Sequence, residues 1–255
     1  MRWGSYVAVG DSFTEGMCDP YPDGRYRGWA DLVATRLAME AGPDFGYANL
    51  AVRGRLFDRI VDEQLPVAER LRPDLVTFAA GGNDVLRRRC EPAVLVDRFD
   101  RVVERIRATG ADLLLFRFAN MATRLPGGRL VAPRVAILNR AVGEIAERHG
   151  ARLVDLYADD GFLNPRLWSE DRLHLSPAGH RRVAAHVLNA LGVGCDEDWL
   201  AVPPHPAPSP WLAARGADLR WAGRHLAPWI KRRLTGRSSG DLVVAKRPTL
   251  TPVSD

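Results

Sequence analysis

Five times along this chain a short apolar run is followed by a longer stretch whose apolar residues recur at helical spacing. No other feature of the sequence restricts the fold as much. The runs begin at Tyr6-Val7-Ala8-Val9-Gly10, Phe45, Leu75, Asp112 and Arg152, and end at Leu50, Ala80, Phe118 and Leu156 for the last four. Runs this short and this apolar are the signature of parallel strands buried on both faces. Between them, Trp29, Leu32, Val33, Leu37 and Ala41 predict a helix that Gly42-Pro43 stops. Leu56, Ile60, Leu65 and Leu71 predict a second, kinked or divided at Pro66. Further helices are expected over Pro92–Thr109 and Pro133–His149. A last one opens at Ser176-Pro177 and runs through Leu191. Right-handed crossovers then give an α/β fold, a three-layer α/β/α sandwich around a five-stranded parallel sheet. Its expected strand order is the flavodoxin-like 2-1-3-4-5.

The alternation ends before the chain does. Composition shifts at Gly192-Val193-Gly194, so residues 1–194 are expected to form the main domain and residues 195–255 an extension. Pro203, Pro204, Pro206, Pro208 and Pro210 mark a stiff linker. From Trp211 to Arg237 seven basic residues face one acidic residue, in an expected amphipathic helix interrupted at Pro228. The last dozen residues read as disordered. Three readings stay open for the basic tail: a helix docked on its own domain, a membrane-surface element, or a contact between copies. Trp199, Trp211, Trp221 and Trp229 argue for burial against something. A net charge of +5 over 255 residues does not call for a polyanionic partner, and no recognition motif accompanies it, so no nucleic-acid role is expected. No apolar stretch is long enough to span a membrane, and the first strand begins too early to leave room for a secretory signal, so the expected location is the cytoplasm.

Cys18, Cys90 and Cys195 lack the spacing of a disulfide framework or a zinc site, and His149, His186, His205 and His225 form no ligand pattern. No metal is expected. Nor is a cofactor, since the first strand is not followed by G-x-G-x-x-G.

The chemistry-bearing residues sit where the predicted strands end. Gly10-Asp11-Ser12 leaves the first strand at its carboxyl edge, where open α/β sheets hold their ligands. A serine there becomes a nucleophile only when a base takes its proton. His174 is the candidate base, and Asp171, three residues earlier, can accept from the other ring nitrogen and fix the tautomer. Acyl transfer also puts negative charge on an oxygen, which needs fixed donors: the Ser12 N–H, the Gly54 N–H and the Asn83 side-chain amide. Glycine at 54 leaves room for an acyl group.

Gly10-Asp11-Ser12, Gly54, Gly81-x-Asn83-Asp84 and Asp171-x-x-His174, in this order, resemble the sequence blocks of the SGNH (GDSL-like) hydrolases. The resemblance covers about the first 190 residues and leaves out the proline-rich linker and basic tail. It implies a catalytic Ser12–His174–Asp171 triad and an oxyanion hole made by Ser12, Gly54 and Asn83. The implied activity is that of a serine ester hydrolase acting on a carboxylic ester of a small molecule, a lipid or an O-acylated sugar. Two alternatives stay open: an acyltransferase using the same triad, and a non-catalytic protein acting through its basic tail. Asp11 and Asp84 are read as loop-fixing carboxylates, and Arg87-Arg88-Arg89 as a solvated helix face or turn, with recognition of an anionic substrate group as the alternative. Phe13, Met121 and Trp168 are candidates to line an acyl pocket, and His180 is expected to make a structural hydrogen bond.

Overall fold

In a computed structural model that describes residues 3–120, 124, 127–206, 211–228, 235 and 238–253, β1 (Ser5–Gly10) runs through the middle of the sheet. Tyr6 to Val9 are fully buried there, as a strand covered on both faces must be. Parallel partners flank it: β2 (Gly46–Asn49) on one side and β3 (Leu75–Ala79) on the other. β4 (Asp112–Arg117) and β5 (Arg152–Asp155) continue outward from β3. The parallel order is thus 2-1-3-4-5, and each strand after the first is one or two residues shorter than its apolar run.

Two short helices follow strand ends directly, α1 (Ser12–Glu15) after β1 and α5 (Gly82–Val85) after β3. The longer helices follow the apolar spacing. In α2 (Gly28–Ala41), Trp29, Val33 and Leu37 share one face and are fully buried. Pro66 divides the next helical stretch into α3 (Phe57–Glu63) and α4 (Leu65–Leu71), taking a first-turn position where it has no N–H to lose. α6 (Pro92–Arg107) and α7 (Ala132–Arg148) pack on each other, and α2 packs on α8 (Pro177–Leu191). The crossover from β1 to β2 runs opposite in direction to those from β2 through β5. One handedness therefore puts α2 on one face and α3, α4, α6 and α7 on the other. The reversal leaves a crevice beyond the carboxyl ends of β1 and β3.

A sixth strand completes the sheet. β6 (Arg247–Pro252) pairs antiparallel with β2, with Tyr47 opposite Thr251 and Asn49 opposite Arg247. This corrects both the five-strand count and the disorder expected for the last dozen residues. An edge strand tolerates Pro248 and Pro252 because only one of its sides has to supply ladder hydrogen bonds. Upstream, α9 (Trp211–Trp221) continues into a π-helical turn over Ala222–Leu226. It lies on the main domain: Arg172 donates to Asp218 Oδ1 at 2.7 Å and its guanidinium covers the Trp221 ring at 4.7 Å. The expected helix beyond Pro228, Trp229 included, lies outside the described residues. Among the described residues no helix is long and apolar enough to cross a membrane.

Candidate active site

Ser12 is presented by the tight turn from β1 into α1. The Asp11 carboxylate caps that helix, accepting the Phe13 N–H at Oδ1 (3.0 Å). Beneath it, the Gln64 side chain grips both backbone groups of Gly10, accepting its N–H at 2.9 Å and donating to its carbonyl at 2.8 Å. A Cβ at residue 10 would lie 2.4 Å from the Thr14 hydroxyl and 2.8 Å from the Ala79 carbonyl, so only glycine lets β1 turn this close to its neighbours.

The candidate base, His174, arrives on a loop closed from both ends. The Ser169 N–H donates to the His174 carbonyl at 2.8 Å, Trp168 and Leu175 form a bridge, and Arg172 takes a left-handed conformation (φ 61°) at the tip. That turn points Asp171 and His174 the same way, as their three-residue spacing anticipates. His174 Nδ1 lies 2.5 Å from Asp171 Oδ2, and Nε2 lies 3.0 Å from Ser12 Oγ. Asp171 Oδ1 accepts the Ser169 hydroxyl (2.6 Å) and the N–H groups of Leu173 (3.0 Å) and His174 (2.9 Å). Burial works to raise the Asp171 pKa, but the hydrogen bonds and charge of His174, with the Ser169 hydroxyl, outweigh it and hold the carboxyl below the usual range. An ionised Asp171 fixes the proton on Nδ1 and leaves the Nε2 lone pair for the serine.

Ser12, Gly54, Asn83, Asp171 and His174 all line one cavity of about 420 Å³. The loop carrying Gly54 is held at three points. Glu15 accepts the Arg53 N–H at 2.7 Å and pairs with its guanidinium. Asn83 Nδ2 donates to the Arg55 carbonyl at 3.0 Å, and Asp84 accepts the Phe57 N–H at 2.9 Å. Gly54 itself has φ +71°, and a Cβ there would lie 2.3 Å from the Ser238 hydroxyl, which donates to the Gly54 carbonyl at 3.2 Å. Asn83 Nδ2 also donates to Asp11 Oδ2 at 2.9 Å, so the residue read as loop-fixing additionally orients the amide. Burial pushes the Asp11 carboxyl up to about 6, against the lowering effect of the Phe13 N–H and of His174.

A second cavity, of about 60 Å³, meets the first at Ser12, Asn83 and His174 and runs into the core. Phe13 and Trp168 line it as anticipated, joined by Phe118 and Phe162, while Met121 lies outside the described residues. Arg87, Arg88 and Arg89 are exposed on a separate surface groove that does not include Ser12. His180 makes the structural contacts expected of it. Its Nδ1 accepts the Trp29 N–H at 3.2 Å and its Nε2–H donates to the Met17 carbonyl at 2.9 Å.

Three neighbours carry no signal that reading the sequence could have used: Gln64, Glu15 and Cys18. The Cys18 sulfur and the ligand atoms of Asp171 and His174 lie within 4.8 Å of one another. Burial raises the Cys18 thiol pKa, which favours the neutral thiol beside Asp171 and His174.

Residues 8–182 match the model of the GDSL-like Lipase/Acylhydrolase family. Among solved structures, LAE5, an alpha/beta hydrolase enzyme from the metagenome of Lake Arreo, Spain, is similar at 24% identity with a TM-score of 0.61, over 74% of this chain and 94% of that one. TesA is similar at 24% identity and a TM-score of 0.61, over 73% of this chain and 97% of its own. Axe2, an acetylxylan esterase from Geobacillus stearothermophilus, is similar at 20% identity and a TM-score of 0.57, over 78% and 97%. At such identities the likeness speaks to the fold. No curated protein matches the chain.

Proposed function

Because the chain belongs to the GDSL-like lipase/acylhydrolase family, a family of ester-cleaving enzymes, we propose that it hydrolyses carboxylic esters through a covalent acyl intermediate on Ser12. One observation carries this reading: the hydrogen-bonded run from Ser12 Oγ through His174 to Asp171 at 3.0 and 2.5 Å, in the wall of a cavity large enough for a substrate.

Ser12 Oγ attacks the ester carbonyl as His174 Nε2 takes its proton. The resulting imidazolium faces the Asp171 carboxylate, which stabilises it without accepting the proton. The oxyanion is held by the Ser12 and Gly54 N–H groups and the Asn83 amide. Asn83 Nδ2 already serves two acceptors, so the oxyanion shares the hydrogen directed at the Arg55 carbonyl, while Asp11 keeps the amide aimed. His174 then protonates the departing alkoxide, and the same base activates water against the acyl-enzyme.

The test is Ser12→Ala on a short-chain nitrophenyl ester, with a fluorophosphonate probe read by mass spectrometry. Hydrolysis is expected to fall to the uncatalysed level and the probe to label Ser12 alone. Undiminished turnover, or labelling elsewhere, sinks the assignment.

A further inference from the structure

The two cavities that meet at Ser12 differ sevenfold in volume, about 60 against about 420 Å³, and differ in what encloses them. The smaller is walled by Phe118, Phe162, Trp168 and Leu175, all under a tenth exposed. The larger is walled on its outer side by the C-terminal extension, through Trp221, Leu226 and Pro228. An acyl-enzyme has to keep its acyl group in place while the alcohol leaves and water enters. A narrow pocket between core side chains suits the group that stays, and a wider chamber suits the group that departs.

On the reading that Ser12 forms an acyl-enzyme, we propose that the substrate joins a short acyl group to a bulky apolar or aromatic alcohol, and that Trp221 of the extension selects the alcohol. A cavity of about 150 Å³ holds benzene, so 60 Å³ holds an acyl tail of roughly two to four carbons. At 420 Å³ the chamber is within the range of sites for drug-sized ligands. Apart from the reacting groups, its wall is mostly apolar: Met17, Leu86, Val131, Leu173, Trp221 and Leu226. The polar side chains it receives from the extension are Arg224, His225 and Ser239, of which Arg224 lies on the exposed rim and is paired with Glu170 at 3.8 Å. Such a wall rewards desolvation of an apolar alcohol. Trp221 is set by the Arg172 guanidinium stacked on its ring and by Asp218 bonded to that same guanidinium, so its face is a fixed part of the wall.

The test is a grid of esters whose leaving alcohols have similar acidity, followed by pH-stat titration on the full chain. Acetyl, butyryl and octanoyl esters of naphthalen-2-ylmethanol are compared with ethyl acetate and with an acetylated methyl xyloside. Butyryl is expected to exceed octanoyl, and naphthylmethyl acetate to exceed ethyl acetate, each by about tenfold or more in kcat/KM. Trp221→Ala is expected to narrow the naphthylmethyl-to-ethyl ratio about tenfold, with Trp221→Phe retaining most of it and thermal melts confirming that both fold. Octanoyl esters cleaved as well as butyryl, preference for ethyl acetate or the xyloside, or an unchanged ratio in Trp221→Ala would each overturn the proposal while leaving Ser12 as the nucleophile. No turnover of any ester, together with no fluorophosphonate labelling of Ser12, would remove the underlying reading and this one with it.

Discussion

Asp11 is a buried carboxylate and Asp171 a half-buried one, each within one step of the atoms proposed to react, yet they are asked for different things. In the proposed mechanism Asp171 holds an imidazole that gains a charge during the reaction, whereas Asp11 holds an amide that does not. Asp171→Asn keeps the shape but cannot fix the proton on Nδ1, so kcat is expected to fall by roughly 10³–10⁴ with the fold intact. Ser12→Ala should fall further, to background, because no nucleophile remains. Equal and complete loss in both variants would mean that Asp171 does more than orient. For Asp11 the argument runs through donors. Its two oxygens accept from Phe13 and from Asn83 Nδ2, and an asparagine has only one oxygen to offer. In Asp11→Asn two donors must face each other, and the Asn83 amide loses its anchor. Losing an oxyanion donor outright costs about 10²–10³ in turnover. A misaimed donor should cost kcat about 10- to 100-fold, with KM moving less than about threefold. An unchanged kcat in Asp11→Asn would show that Asn83 aims itself.

At the scale of elements, His180 braces three segments, joining α8 to the first N–H groups of α2 and to the carbonyl of Met17 just past α1. Both ring nitrogens are spoken for only when the ring is neutral, since Nδ1 must accept. Burial accordingly pushes its pKa down to about 4 from the usual 6.5. A depressed histidine contributes stability that is present above pH 6.5 and lost as pH falls toward 4. By pH 4.5 that loss is about 2–3 kcal/mol. Asp11, raised to about 6, acts in the opposite direction over nearly the same window, so wild-type stability alone is uninformative. His180→Gln keeps one acceptor and one donor without the titration. Urea unfolding at pH 7.5 and 4.5 should therefore show the wild type losing about 2–3 kcal/mol more than the variant. Equal losses would mean that His180 is not held neutral.

The elements also explain what could be read in advance. Five parallel strands, their order and the long helices follow from apolar period and from Pro and Gly breaks, because those residues are buried for the same reason they are apolar. The clustering of Ser12, Asp171 and His174 was legible for another reason: they lie in loops that the strand pattern already brings to one edge. Gln64, Glu15 and Cys18 escaped because a polar residue inside a helix or a turn has no period, and only the folded chain shows which backbone group it meets. α1 and α5 are four residues each, too short for spacing to declare them. β6 was hidden by Pro248 and Pro252, which argue against a strand everywhere except at a sheet edge.

Taken whole, the molecule is closed by its last residues. The chain leaves α8 on one side of the site and passes over it as α9 and the π-turn. Ser238 then bonds the Gly54 carbonyl, and β6 joins the opposite edge of the sheet. Between Ser238 and β6 the anchor is Lys246. Its ammonium lies 2.8 Å from Asp31 Oδ1 and donates to the carbonyls of Tyr26 at 3.0 Å and Arg27 at 2.6 Å. Burial raises the Asp31 pKa and lowers that of Lys246, each opposed by the other's charge, so the pair is costly to break from one side. Lys246→Ala leaves Asp31 with the Tyr47 hydroxyl (2.8 Å) as its near partner and only the charge of Arg247 to offset its own. The expected loss is about 3–5 kcal/mol, on the order of 10 °C in Tm. Pairing Lys246→Ala with Asp31→Asn should restore part of it, since the stranded charge is then gone. If Lys246→Ala melts within a degree or two of wild type, β6 is held by its ladder alone. A chain ending at Gly194 loses a strand, a wall and the contacts of Pro203 with Asn164, Leu200 with Arg182 and Asp218 with Arg172. With Lys246 as the anchor, the same truncation also strands Asp31, so adding Asp31→Asn to the truncated chain should recover part of its lost Tm.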